Sequence, residues 1–323
     1  MLLAGDIGGT KTSLALYSPE RGLTPLREAT FQSAVFPSLE AVVQAFLAED
    51  PAPVETAVFG VAGPVLEGEA TVTNLPWVIR EATLEQVVGL RKATLLNDLE
   101  STAYGVPHLS PADMHTLNDV PPRSGTKGVI AAGTGLGEAV LFYHDGHYQV
   151  LASEGGHTDF GPQTPFEIGL LRHLMSRFDH VSYERICSGI GLPNLYAYIW
   201  ETHMAGDPRA EAEAHHRAPE PTRVIIQKAL SGESELCMEA LHAFVSILGA
   251  EAGNLALKVM ASGGIYLGGG IPPRILPLLK DGTFMAAFVR KGRFSKMLSQ
   301  WPVYIILKAD TALLGAAAYG LGL

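Results

Sequence analysis

The first hundred residues alternate short apolar runs with glycine-rich turns. Residues 2–5 and 13–17 are typical of strands, and residues 6–11 between them include two glycines, which permit positive φ. We therefore predict a β-hairpin whose tight turn is rich in N–H donors. A helix is predicted after Ser38, because apolar residues then recur with the spacing of one helix face, namely Leu39, Val42, Val43, Phe46 and Leu47.

Two later apolar runs, 56–59 and 93–96, also predict strands. The first run ends in the sequence Gly-Val-Ala-Gly-Pro, and the second ends at Asn97 and Asp98, before a predicted helix over 99–104. Asp98 is therefore expected where a strand gives way to a helix. Ligands commonly bind at such edges of α/β sheets.

The second half of the chain repeats this order of elements. A predicted strand over 128–132, a turn over 133–137 and a strand over 139–143 form a second hairpin. A long helix over about 234–260 then leads to a strand over 265–267, which ends in Gly-Gly-Gly-Ile-Pro. The repetition predicts a duplicated α/β core folded around a central cleft.

Two further segments complete the predicted organisation. Residues 205–222 are dense in Pro, Glu, Ala and His and predict a surface loop, with His215 and His216 facing solvent. A terminal helix over 311–318 is predicted after Asp310.

Composition places the chain in the globular class. Of 323 residues, 47% are hydrophobic and 17% are charged, so the chain can build a large core and, at this length, about two domains. The net charge is -10 and no basic stripe runs along the sequence. Nucleic acid is therefore not an expected partner.

Cysteine usage and the amino terminus bear on the compartment. Cys187 and Cys237 lie far apart and outside any CxxC pattern, so neither a disulfide framework nor a cysteine zinc site is expected. The amino terminus lacks the basic segment of a signal peptide, and glycine, proline or lysine interrupts the longest apolar stretches. We expect a cytoplasmic protein without a membrane span.

The 35 glycines cluster after apolar runs, which favours binding loops built from backbone. A phosphate cradle needs convergent N–H groups and a close backbone approach, which glycine allows without a Cβ clash. The turns at 6–11, 133–137 and 268–270 together favour a nucleotide site, although each alone is compatible with an ordinary turn. Asp6 adds a carboxylate for a hydrated magnesium ion, and Thr10 adds a hydroxyl for a phosphate oxygen. Neither a Walker A loop nor the GxGxxG dinucleotide pattern is present.

Six short motifs follow one another along the chain. They are Asp6-Ile7-Gly8-Gly9-Thr10, Leu96-Asn97-Asp98, Gly133-Thr134-Gly135-Leu136-Gly137, Glu154-Gly155-Gly156-His157, Glu184-Arg185-Ile186-Cys187-Ser188-Gly189 and Leu267-Gly268-Gly269-Gly270-Ile271. In this order and approximate spacing they resemble the bacterial ATP-dependent glucokinases, over nearly the whole chain. The resemblance implies a duplicated actin-like ATPase core of the ribonuclease H-like, hexokinase type. It also implies a small α/β domain over 1–107 and 302–323 and a large α/β domain over 108–301.

The resemblance implies the residues of the site as well. Asp98 is the general base that takes the proton from the 6-hydroxyl of the sugar. Glucose is bound by Asn97, Asp98, Glu154, His157 and Glu184. ATP is bound by Asp6, Gly8, Gly9, Thr10, Lys11, Gly133, Thr134, Gly135, Gly268, Gly269 and Gly270, with Mg2+ held by Asp6 through water. Taken singly, the same residues are also typical of a helix cap, exposed acids and a hydrogen-bonded histidine.

The function so implied is that of a glucokinase. It transfers the γ-phosphoryl group of MgATP to the 6-hydroxyl of D-glucose, giving glucose 6-phosphate and ADP, the first step of glycolysis. The nearest alternative is a kinase of fructose, mannose or an N-acetylated hexosamine, because the isomer that fits depends on geometry that sequence does not fix. A sugar-sensing regulator on the same fold is less favoured, because no DNA-binding helices precede Asp6 and the chain is acidic. An actin-like filament or chaperone ATPase would not need the sugar-binding residues.

Three further expectations concern cofactors and assembly. Related sugar kinases of the repressor-kinase pattern carry a cysteine-rich zinc loop, which this chain lacks, so the resemblance is to the zinc-free group. The resemblance to this family also implies a homodimer. The phosphoryl donor is open between ATP and ADP or polyphosphate, because the loops recognise phosphates more directly than the base.

Overall fold

The structure divides the chain into two compact units. The first unit comprises Met1–Asp113 and Lys308–Leu323, and the second comprises Met114–Leu307. The small domain over 1–107 and 302–323 and the large domain over 108–301 that the sequence suggested stay a prediction. This computed structural model describes residues 1–49, 53–72, 74–207 and 209–323.

Strands and helices are numbered along the chain. The strands are β1 (Leu2–Ile7), β2 (Lys11–Tyr17), β3 (Arg27–Gln32), β4 (Thr56–Val61), β5 (Val65–Leu66), β6 (Glu69–Thr71), β7 (Val78–Arg80), β8 (Lys92–Asn97), β9 (Met114–Thr116), β10 (Lys127–Ala132), β11 (Leu136–His144), β12 (His147–Ser153), β13 (Gly264–Gly268) and β14 (Val303–Ile306). The helices are α1 (Leu39–Glu49), α2 (Glu81–Val88), α3 (Asp98–Gly105), α4 (Pro165–Met175), α5 (Leu192–Met204), α6 (Pro221–Leu230), α7 (Glu235–Val259), α8 (Leu276–Leu279), α9 (Thr283–Val289), α10 (Ser295–Leu298) and α11 (Thr311–Leu321).

The main sheet of the first unit has the strand order β3-β2-β1-β4-β8. Strand β1 runs antiparallel to β2 and parallel to β4, which in turn is parallel to β8. Leu3 and Ile7 pack in one hydrophobic cluster with α1 and α2, whereas Leu2 and Ala4 pack in another with α11. Because both faces of β1 are covered, its sequence is almost continuously apolar. The carboxyl ends of β1, β4 and β8 lie at one edge of this sheet.

Helices α3 and α11 pack backbone to backbone within the first unit. A Cβ on Gly315 would overlap the carbonyl oxygen of Ser101, and a Cβ on Gly105 would overlap that of Thr311. The hydroxyl of Ser101 donates to the carbonyl oxygen of Ala312 at 2.7 Å. Glycine is therefore required on both helices at this crossing.

The main sheet of the second unit has the order β12-β11-β10-β13-β14-β9. Its first five strands repeat the order and directions found in the first unit, which confirms the predicted duplication of an α/β core. Helix α7 runs through the hydrophobic core of this unit. By length and composition α7 could cross a bilayer, but 67% of its most apolar stretch is buried, as expected of a core helix.

The polar segment 205–222 is less exposed than its composition suggests. It contains turns and a short 3-10 helix; Pro208 lies outside the described residues. The side chain of His215 is only 11% exposed, and the ring of His216 lies 4.9 Å from that of Trp200. The prediction that both histidines face solvent was therefore wrong, because aromatic residues of α5 pack against them.

Candidate active site

The buried side chain of Ser33 supports the turn after β1. The N–H of Gly8 donates to the carbonyl of Lys11 at 2.9 Å and closes the turn. Ser33 Oγ donates to the carbonyl of Gly8 at 2.8 Å, and the N–H of Ser33 donates to the carbonyl of Thr10 at 3.0 Å. Thr10 and Lys11 are exposed, so the turn presents its outer side to solvent. Ser33 was not predicted from sequence, because no local spacing connects it with the turn.

Two carboxylates of the first unit act on the carboxyl group of Asp6. The pKa of Asp6, at the end of β1, is raised to about 6, chiefly by burial and then by the negative charges of Asp98 and Asp310. Such crowding favours a cation, and carboxylate oxygens are the ligands that hard cations prefer. Asp310 was not predicted as a site residue, because its position just before α11 was its only signal in the sequence.

Asn97 and Asp98 lie where β8 gives way to α3, as predicted. Asn97 is the N-cap of α3, and the N–H of Leu99 donates to its Oδ1 at 2.9 Å. Its amide nitrogen donates to the carbonyl of Gly63 at 3.0 Å, which ties the end of β8 to the loop after β4. Asp98 Oδ1 accepts from the same N–H of Leu99 at 2.8 Å, so its carboxylate is fixed at the positive end of the helix.

Two glycine loops of the second unit follow adjacent parallel strands. The turn 133–135 follows β10, and Gly269 and Gly270 follow β13, whose last residue Gly268 pairs with Ala131. A Cβ on Gly133 or Gly270 would meet no atom within 4 Å, so both backbones are open on that side. A Cβ on Gly269, at φ +87°, would overlap the carbonyl oxygen of Ala132. These strand ends therefore present accessible backbone, as ligand loops of α/β proteins do.

His157 lies between two carboxylates of the second unit. Its Nε2 is 3.9 Å from Glu154 Oε2 and also 3.9 Å from Glu184 Oε1. The side chain of Glu184 is only 16% exposed, and its Oε2 accepts from the N–H of Leu136 at 3.0 Å. Because these atoms lie beyond direct hydrogen-bond distance of His157 Nε2, the ring and the facing carboxylate oxygens keep polar atoms for hydroxyl groups of a ligand.

A cavity of about 420 Å³ opens beside this group of three side chains. That volume lies within the range of small-molecule sites, roughly 300–1,000 Å³. Its lining includes His157, Glu184, Arg177, Phe178, His180 and Arg185. The two arginines and His180 were not predicted, because scattered basic residues carry no pattern in sequence.

The predicted site residues thus form two sets. In the first unit, the structure brings Asp6 near Asp98 and adds Asp310. In the second unit it brings Glu154 and Glu184 to His157 and places two glycine loops at one sheet edge. Among the residues described, no group of three or more His, Cys, Asp or Glu side chains could ligate a metal directly. An ion bound to Asp6 would therefore need water and phosphate ligands as well.

Comparison with known proteins finds one family over nearly the whole chain. The chain matches the family model described as Glucokinase over residues 3–322. It is 39% identical to a glucokinase of Nostoc punctiforme over an aligned length of 333 residues, and the alignment covers 98% of each chain. It is 37% identical to a glucokinase of Synechocystis, covering 98% of this chain and 96% of that protein.

Solved structures agree with the fold. The crystal structure of glucokinase from an Antarctic psychrotroph superposes with a TM-score of 0.84 at 30% identity, covering 98% of each chain. A ROK family glucokinase from Streptomyces griseus, in complex with glucose and AMPPNP, has a TM-score of 0.61 at 22% identity and covers 98% of this chain and 97% of its own. These similarities confirm the predicted actin-like fold class.

Proposed function

The chain belongs to the glucokinase family and phosphorylates glucose with ATP, and from this premise we propose which residues perform the transfer. In the reaction the O–H bond of the sugar's 6-hydroxyl breaks and a bond forms between that oxygen and the γ-phosphorus. The bond from the γ-phosphorus to the bridging oxygen of ADP breaks at the same time. Such a transfer depends on alignment and charge stabilisation more than on a strong base.

Asp98 accepts the proton of the 6-hydroxyl. The observation that carries this assignment is the hydrogen bond from the N–H of Leu99, which fixes the carboxylate at the start of α3. The amino-terminal position on the helix favours the ionised form that a base requires. Asn97 caps the same helix, so its amide holds the segment and also offers a polar group to a neighbouring sugar hydroxyl.

Glu154, His157 and Glu184 bind the other hydroxyls of glucose. Carboxylates accept from hydroxyls, whereas a histidine ring donates and accepts, so together they suit a polyhydroxylated ring. Glu184 is the most fixed of the three, because the N–H of Leu136 also bonds to it. A site that pairs each hydroxyl discriminates against isomers that leave a polar group unpaired.

The glycine loops and the turn after β1 bind the phosphates of ATP. The support is the open backbone at Gly133 and Gly270 and the exposed turn with Thr10 and Lys11. Backbone N–H groups in such loops bind anions without a charged side chain. The other members of this proposed set are Gly8, Gly9, Thr134, Gly135, Gly268 and Gly269.

Asp6 fits a hydrated Mg2+ ion that accompanies ATP. Its pKa is raised by burial and then by the charges of Asp98 and Asp310, and a divalent cation would relieve the crowding of these charges. When bound, Mg2+ neutralises charge on the phosphates. We keep a zinc-free site and a homodimer as expectations.

The proposal is tested with purified protein, MgATP and a panel of hexoses, following sugar phosphate and ADP separately. We expect glucose to stimulate ADP release strongly and fructose, mannose and N-acetylglucosamine to do so weakly. Release with another hexose would keep Asp98 but change the specificity. ADP release that no sugar stimulates would contradict the assignment, and replacing ATP by ADP or polyphosphate tests the donor.

A further inference from the structure

Two buried acids of the second unit, Glu138 and Glu251, have no part in the contacts proposed above. Glu138 lies in β11 and is 2% exposed, and Glu251 lies in α7 and is fully buried. A charged carboxylate is costly to bury unless it is paired, hydrogen-bonded or protonated. Because the charge of Glu251 also acts on Glu138, the burial of both acids requires an explanation.

The two acids differ in their ion-pair and hydrogen-bond partners. Glu251 Oε1 lies 3.3 Å from Lys258 Nζ, and its Oε2 accepts from Asn254 Nδ2 at 2.8 Å. Glu138 Oε1 is buried and has no hydrogen-bond partner in the described part of the chain. Burial, together with the charge of Glu251 and a hydrogen bond to it, raises the pKa of Glu138 well above its usual range, against an opposing effect of Lys258. Two carboxyl groups can be hydrogen-bonded only through a proton on one of them.

Glu138 packs directly beneath the turn that carries His157. A Cβ on Gly155 would overlap the carboxyl group of Glu138, so this carboxyl touches the turn backbone. The turn is otherwise held by the N–H of Gly155, which donates to Ser153 Oγ at 3.0 Å, and by its carbonyl, which accepts from Thr158 Oγ1 at 2.7 Å. A change in the charge of Glu138 therefore acts first on this turn.

Glu251 is linked to the segment that carries Glu184. Asn254, which donates to Glu251, also donates to Tyr183 Oη at 3.1 Å. Tyr183 precedes Glu184 in the chain, and the N–H of Glu184 donates to the carbonyl of Gly156 at 2.9 Å. The turn Gly155–His157 thus contacts Glu138 directly, and the segment at Glu184 is connected to Glu251 through Asn254 and Tyr183.

We propose that Glu138 and Glu251 share one proton and act as positioning residues, which hold the turn Gly155–His157 and the segment at Glu184 for sugar binding. This inference rests on the proposed roles of His157 and Glu184. With the proton, the pair carries one negative charge, which Lys258 balances. Without it, two negative charges lie beneath the turn, repel each other and displace it.

Tyr183, Cys187, Lys258 and Lys291 surround the pair, and burial lowers the pKa of Lys291 against the opposing effect of Glu251. Burial raises the pKa of both Tyr183 and Cys187, so both stay neutral while the pair loses its proton. Lys291, from the segment after α9, donates to Asn254 Oδ1 at 2.6 Å and to the carbonyl of Ala250 at 2.8 Å. Lys258, the ion-pair partner of Glu251, is about half exposed.

The test measures KM for glucose, KM for MgATP and kcat from neutral to alkaline pH. In the unmodified enzyme we expect KM for glucose to rise about fivefold with pH, the equivalent of one lost hydrogen bond, while KM for MgATP stays constant. In Glu138→Gln the amide donates to Glu251 in place of the shared proton, so the alkaline rise disappears. Glu251→Gln should remove it likewise, and Glu239→Gln, on the exposed side of α7, is the matched control that keeps it.

An alkaline rise of the same size in Glu138→Gln and in the unmodified enzyme would overturn the proposal. A sugar-free measurement separates this failure from failure of the proposed function. An acid whose pKa is raised in the folded state contributes most stability at low pH and loses it as pH rises towards the folded pKa. The unfolding midpoint of the unmodified protein should therefore fall with pH relative to Glu138→Gln. Parallel midpoint curves would exclude the shared proton even in a protein that does not phosphorylate glucose.

Discussion

The two sheets share one strand order but carry different chemistry at their strand ends. In the first unit β1 and β8 end in the carboxylates Asp6 and Asp98, whereas in the second β10 and β13 end in glycine loops. The supports differ too, because a hydroxyl, Ser33, holds the first turn and a carboxylate, Glu184, holds the second. The scaffold is duplicated, and the proposed function assigns the general base to the strand ends of the first unit and two phosphate-binding glycine loops to those of the second.

The largest expected effect comes from removing the base of the first unit. Asp98→Asn keeps the hydrogen bond to Leu99 but cannot accept a proton, so kcat with glucose should fall about a thousandfold. Glucose binding, followed by calorimetry, should change little. Asp145→Asn, on an exposed turn, is the control with the same change of charge. Turnover within a few-fold of normal in Asp98→Asn would remove Asp98 from the mechanism.

A smaller effect should follow from removing Glu184, the carboxylate that supports the turn 133–137 of the second unit. Glu184→Ala loses a charged partner of the sugar and the bond to Leu136, so we expect KM for glucose to rise by about thirtyfold. Glu154, whose side chain is 81% exposed, should matter less on replacement by alanine. Steady-state kinetics at fixed MgATP show which replacement raises KM for glucose more, and a larger rise at Glu154 would contradict the prediction.

Two glycines of one turn sharpen the comparison between backbone and side-chain chemistry. A Cβ on Gly135 would overlap the carboxylate of Glu184, whereas a Cβ on Gly133 would meet nothing in the protein. Gly135→Ala should therefore raise KM for glucose several-fold. Gly133→Ala should leave the unfolding midpoint unchanged and raise KM for MgATP alone, because only the incoming phosphate meets its methyl group. An unaltered KM for MgATP in Gly133→Ala would show that phosphates do not approach this turn.

The smallest expected effect is a shift in pH dependence. The carboxyl of Asp6 becomes neutral as pH falls through about 6, so kcat/KM for MgATP should decline there. Asp310→Asn removes one of the charges that raise this pKa, and the decline should move to lower pH by a few tenths of a unit. A pH profile of both proteins checks this, and a shift to higher pH would contradict the cause assigned.

Local patterns predicted the hairpins, α1, α7 and the strand–helix junction at Asp98, because apolar periodicity and glycine turns are local properties. The strands β5 to β7 are two or three residues long and carry no period, so they were missed. The site supports were missed for a different reason. Ser33 and Glu251 act on residues far away in sequence, and only the folded chain brings them there.

The discontinuous first unit has a consequence for synthesis. The face of its sheet formed by Leu2, Ala4 and Val58 is covered by α11, which the ribosome makes after the whole of the second unit. The contiguous segment Met114–Leu307 can thus complete its core while the earlier-made sheet still exposes an apolar strip. A nascent chain paused before residue 308 should accordingly be bound by chaperones through its oldest strands rather than its newest.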